Sequence, residues 1–107
     1  MTKPGILLTG ATGYVGGRLR RVLEEEGATL RCMVRRPEAL ESAPSTDVVA
    51  GDVLDPESLV EAMRGVDVAY YLIHSMSGRE DFVESDREGA RNFAEAAAAA
   101  GVSRIIY

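Results

Sequence analysis

The sequence predicts an α/β protein, a doubly wound parallel sheet of five strands in the order 3-2-1-4-5 with helices on both faces. Three observations predict it. Strand-like and helix-like segments alternate five times along 107 residues, the pattern of a parallel sheet with crossover helices. The run Val66 to Ile73 is almost continuously apolar, as in a strand covered on both faces. Apolar residues make up 46% and charged residues 27%, which suits one folded domain with one core. Right-handed crossovers then favour the stated strand order.

Each element has its own signal. Ile6-Leu7-Leu8, with turn residues on both sides, reads as a buried first strand. Val15, Leu19, Val22 and Leu23 recur at helical spacing and predict an amphipathic helix ending at Gly27. Leu30 to Val34 is the second strand, stopped by Pro37; Glu38 to Glu41 can form only a short helix. Asp47 to Ala50 is the third strand. Asp55-Pro56-Glu57 supplies an N-cap, a proline at the first helical position and an acid in the first turn. Leu59, Val60 and Met63 are that helix's expected buried stripe, and Gly65 its end. After the fourth strand, Ser75 to Glu80 is a polar loop. A long helix from Phe82 to Ala100 buries Phe93 and ends at Gly101, and Val102 to Tyr107 is the fifth strand.

Charge and cysteine usage exclude several classes. Twelve basic residues against seventeen acidic ones give a net charge of −5, so nucleic acid and anionic membrane are not expected partners. No apolar stretch approaches the ~20 residues of a membrane span. The single cysteine, Cys32, excludes an internal disulfide and fits a cytoplasmic location. The single histidine, His74, excludes a multi-histidine metal centre, and no metal site is expected.

The first strand-to-helix turn reads Thr9-Gly10-Ala11-Thr12-Gly13-Tyr14-Val15-Gly16. A glycine here permits a tight turn and close approach of backbone to a pyrophosphate; a later one lets the helix pack near the sheet. The helix start offers N–H groups and the positive end of a dipole. A net-acidic chain can thus hold a dinucleotide diphosphate. No lysine follows these glycines, which excludes a Walker-type loop.

This turn resembles the glycine motif of the extended and atypical short-chain dehydrogenase/reductases, and the likeness runs along the chain. Gly51-Asp52-Val53-Leu54-Asp55, Tyr70-Tyr71-Leu72-Ile73-His74-Ser75 and Gly89-Ala90-Arg91-Asn92 are similar to segments of that superfamily. The fourth-strand stretch is most similar to bacterial nucleoside-diphosphate-sugar epimerase-like and NmrA-like proteins. The resemblance implies a Rossmann domain over 1–107 that binds a nicotinamide dinucleotide, as the N-terminal part of a longer protein. It implies a cofactor-binding set of Gly10, Thr12, Gly13, Tyr14, Val15, Gly16, Asp52, Val53, Leu72, Ile73 and His74. Asp52 would meet the adenine amino group, Val53 would lie against the ring, and Leu72 to His74 would end near the nicotinamide ribose.

The second strand chooses the cofactor. An NAD enzyme usually carries an acid there, about 20 residues past the glycines. This chain has Arg35-Arg36, beginning 19 residues after Gly16, and no acid before Glu38. Arginine can grip a 2′-phosphate through paired N–H bonds. One charged hydrogen bond, roughly 1.5–3 kcal/mol, corresponds to roughly 10- to 100-fold in affinity. NADP is therefore expected over NAD. Arg18 has two readings, a phosphate contact or an exposed helical arginine.

The resemblance leads to a Tyr-x-x-x-Lys dyad, yet the only lysine is Lys3, ahead of every tyrosine. No catalytic residue is assigned. The expected function is the cofactor domain of a reductase or sugar-nucleotide epimerase, inactive alone; the alternative is a non-catalytic NADP-sensing or structural module. The apolar end Arg104-Ile105-Ile106-Tyr107 predicts an unprotected strand edge. That edge and the 82–100 helix are the candidate homodimer surfaces.

Overall fold

The computed structural model describes residues 5–41, 43, 46–73 and 81–107. In chain order the elements are β1 (Gly5–Thr9), α1 (Tyr14–Glu25), β2 (Thr29–Val34), β3 (Thr46–Ala50), α2 (Pro56–Ala62), β4 (Val68–Tyr70), α3 (Asp81–Ala100) and β5 (Arg104–Ile106). A 3₁₀ turn at Pro37–Ala39 follows β2. The five strands form one parallel sheet in the order β3-β2-β1-β4-β5, as the alternation predicts.

Side-chain alternation sends the apolar strand residues to two faces. On one, Leu7, Met33 and Ala69 meet Leu59, Ala62 and Met63 of α2 and Phe93, Ala96 and Ala97 of α3. On the other, Leu8, Leu30 and Cys32 meet Leu23 of α1 and Ala11, with Leu19 and Leu40 packed alongside. Among the described residues the first face carries two helices and the second only α1. Tyr70 and Leu72 on that second face are accordingly only half-buried.

Four expectations are corrected by the structure. Val15 and Val22 do not join the buried stripe of α1: they are 63% and 48% exposed. Seven residues apart, they share a flank turned off the sheet. In α2 the buried stripe is Leu59, Ala62 and Met63, and Val60 is 54% exposed because it lies one residue round the helix. The fourth strand is three residues long, not eight. Val66 is buried in the turn after α2, where its N–H bonds the Met63 carbonyl at 3.1 Å, so that part of the apolar run is buried without being strand. The fifth strand is likewise Arg104–Ile106 within the longer predicted run.

Polar ties fix the helices on the sheet. The Thr46 hydroxyl donates to Glu24 Oε2 at 2.6 Å, and Arg20 bonds both Glu24 and the Glu41 carbonyl. These contacts hold α1 against the segment before β3. Arg31 of β2 donates to the carbonyls of Ala62 and Arg64 at 2.8 and 2.7 Å and so ends α2. The polar loop Ser75 to Glu80 lies outside the described residues.

Candidate functional site

Because all five strands are parallel, their C-terminal ends share one edge. Every described residue of the sequence-derived set belongs to a segment leaving that edge. Gly10 to Gly16 follow β1, Arg35 and Arg36 follow β2, Asp52 and Val53 follow β3, and Leu72 and Ile73 follow β4. His74 lies outside the described residues.

The β1–α1 turn is shaped by backbone proximity. Gly10 has φ +72°, where a side chain is strained. A Cβ there would also lie 2.8 Å from the Leu72 carbonyl oxygen. The Gly13 N–H closes the turn on the Gly10 carbonyl at 3.0 Å. Gly16 sits against that same carbonyl: a Cβ on it would come within 2.0 Å of the Gly10 oxygen and 2.6 Å of its carbon. The helix therefore starts in contact with the loop, and only glycine permits the approach. The cradle fits a diphosphate. Gly13 is the N-cap, no side chain caps the helix, and its first turn holds no acid. The positive end of α1 is left for an anion. Thr12, Gly13, Tyr14 and Val15 are all exposed around it.

Thr9 opens the quoted turn without being among the expected binding residues, and it ties this turn to β4. Fully buried, its hydroxyl donates to the Tyr70 carbonyl at 2.8 Å and accepts the Leu72 N–H at 3.2 Å. The β1–β4 ladder stops at Leu8 and Tyr70, so a side chain replaces its next rung. Arg18 donates to the Tyr14 hydroxyl at 2.6 Å, with its guanidinium 5.3 Å from the ring centre. Arg18 is exposed on α1 beside the open helix start.

Arg35 and Arg36 are exposed beyond β2. The Gly51 N–H bonds the Val34 carbonyl at 3.0 Å, which carries the β3 exit alongside them. Asp52 Oδ1 accepts the Leu54 N–H at 2.9 Å, so the carboxylate is oriented by its own loop. Asp55 does occupy the N-cap of α2, but its side chain makes no capping bond. Ser58, in the first turn, instead ties the loop to the helix: its hydroxyl accepts the Asp52 N–H at 3.0 Å and donates to the Asp55 carbonyl at 2.8 Å.

Beyond β4, the Tyr71 ring meets Phe93 edge-on at 4.9 Å and Tyr107 at 5.9 Å. Burial pushes its hydroxyl pKa upward, and the charges of Asp86 and Tyr107 add to the rise. Tyr71 is thus a neutral hydrogen-bonding group at physiological pH.

Known proteins share this fold. The chain is 31% identical to a 3-beta-hydroxysteroid dehydrogenase of Mycolicibacterium neoaurum over 95% of its length and 31% of the relative's. It is 34% identical to a ceramide reductase of Caulobacter vibrioides over 94% of its length and 33% of the relative's. It spans about a third of the curated relatives it matches. The NAD complex of a uronate dehydrogenase variant from Agrobacterium tumefaciens superposes with a TM-score of 0.83 at 29% identity, over 97% of this chain and 40% of that one. The model of the NAD(P)H-binding family matches residues 10–107, from the first glycine of the turn to the last residue, and the chain belongs to that family.

Proposed function

We propose that the chain holds NADP, in preference to NAD, for a short-chain dehydrogenase/reductase-like reductase or sugar-nucleotide epimerase. The observation that carries the reading is the uncapped, glycine-cradled start of α1 beside two exposed arginines at the end of β2. The helix start and Gly13 hold the diphosphate. Arg35 and Arg36 take the 2′-phosphate. Asp52 and Val53 take the adenine, and Leu72, Ile73 and His74 border the nicotinamide side. The bound dinucleotide would supply hydride chemistry; these residues supply holding and orientation. No Tyr-x-x-x-Lys dyad is available, since Lys3 precedes every tyrosine, so the 107 residues alone hold cofactor without turnover.

Titration calorimetry with NADPH and NADH at one low salt concentration tests this. NADPH should bind at least about ten-fold tighter, and the Arg35→Ala, Arg36→Ala double variant should bring the two to parity while leaving NADH unchanged. Equal binding by the unaltered chain would keep the glycine cradle and remove the arginine assignment. Failure of the folded chain to bind either would remove both.

A further inference from the structure

We infer that Asn92 and Gly89 of α3 are positioning residues for the adenine end of the dinucleotide. The inference rests on the reading above that Asp52 and Val53 meet the adenine. Asn92 Nδ2 donates to the Val53 carbonyl oxygen at 2.8 Å in a half-buried contact. One turn earlier, Gly89 is buried against the same residue: a Cβ on it would lie 2.6 Å from Val53 Cγ2 and 3.4 Å from the Tyr71 hydroxyl. Residues three apart share a helix face, so α3 grips Val53 by its backbone through one residue and by its side chain through the other. Neither residue type favours a helix interior, and here each meets another segment.

The grip bears directly on Asp52. Its N–H is held by Ser58 and its Oδ1 by the Leu54 N–H, so the Asp52–Leu54 loop moves as a unit. The Val53 carbonyl anchors that unit to α3, as Ser58 ties it to α2 and the buried Val53 side chain ties it to the core. If it slides, the Asp52 carboxylate slides with it. Asn92 and Gly89 therefore act through Asp52 and Val53, setting how well the site reads the adenine amino group.

The test compares NADPH with its hypoxanthine analogue, in which a carbonyl replaces the 6-amino donor, using the full 107-residue chain. The readout is the ratio of the two dissociation constants, which a uniform loss of folded protein leaves unchanged. The unaltered chain should prefer NADPH by about ten-fold. Asn92→Leu keeps the side chain's shape and removes the donor; it should lower the ratio about three-fold or more. Gly89→Ala, which displaces Val53, should lower it in the same direction. Asp52→Ala should bring it to about one. If Asp52→Ala lowers the ratio and both α3 variants leave it intact, the α3 inference fails and the adenine reading stands. If Asp52→Ala leaves the ratio intact, or the unaltered chain shows no preference, the adenine reading fails and takes the inference with it.

Discussion

Two helices that follow strands of the same sheet, α1 and α2, begin differently. The start of α1 has glycine as its N-cap, no side-chain cap and no acid in its first turn. The start of α2 has an aspartate at the N-cap, a proline at the first helical position and an acid in the first turn. Its Ser58 hydroxyl is folded back on the loop, and the Ser58 N–H bonds the Asp55 carbonyl at 3.1 Å. Neither start has a side-chain cap, but that of α2 offers fewer donors, since Pro56 has no N–H and the Ser58 N–H is taken. The first glycine loop is held by backbone crowding, whereas the Asp52–Asp55 loop is held by side chains. An anion site on a helix start requires the open kind, because a start whose donors are absent or taken has none to offer.

The comparison breaks first at Gly16. Gly16→Val would drive a side chain into the Gly10 carbonyl and lift α1 off its loop. A loss of about 3 kcal/mol or more is expected in urea unfolding; an unchanged midpoint would show that α1 does not need this approach. The floor under α1 supplies the next effect. Burial pushes the Cys32 thiol up to about 11 from 9.0. The unfolded chain then releases the proton first, so stability holds below about pH 9 and falls as pH rises toward 11. The fall amounts to about 2–3 kcal/mol, read as the difference between the native chain and Cys32→Ala, in which this component is absent.

Two milder substitutions sharpen the contrast. Ser58→Ala removes the hydroxyl that ties the Asp52–Asp55 loop to α2 and should cost about 1 kcal/mol by thermal or urea unfolding. Gly13→Ala should change stability by no more than about 0.5 kcal/mol. Its backbone, φ −82° and ψ 172°, suits any residue, and the added methyl would sit 3.3 Å from the Gly10 oxygen. Dinucleotide affinity should nonetheless fall about ten-fold, since the methyl projects where the proposed function puts the diphosphate. Unaltered affinity would mean that the open helix start is not the binding point.

The strand order and the glycine turn were legible because they rest on local signals: alternating periods, a strand before the glycines and a helix after them. The exposure of Val15, Val22 and Val60 was not. Periodicity locates an apolar stripe, but which flank is covered depends on what the sheet carries on each face. Val66 misled for a related reason, since a residue can be buried by a turn as well as by a ladder. Thr9 and Asn92 stood in quoted motifs and Ser58 in none, but the roles of all three escaped notice because each acts on backbone groups. Their partners at Asp52, at Tyr70 and Leu72, and at Val53 lie up to 63 residues away. A lone hydroxyl or amide in a sequence gives no sign of such a partner.

The Thr9 hydroxyl has a consequence for anyone transplanting this turn into another scaffold. A graft of Gly10 to Gly16 alone would carry the crowded glycines but not the rung that lets β1 leave the sheet. The recipient must also offer a threonine one residue upstream, and a neighbouring strand whose carbonyl and N–H match those of Tyr70 and Leu72. The portable unit is therefore not a linear motif but a motif plus two backbone groups on the adjacent strand. Thr9→Val, nearly identical in shape, would leave both groups without this partner inside a closed core.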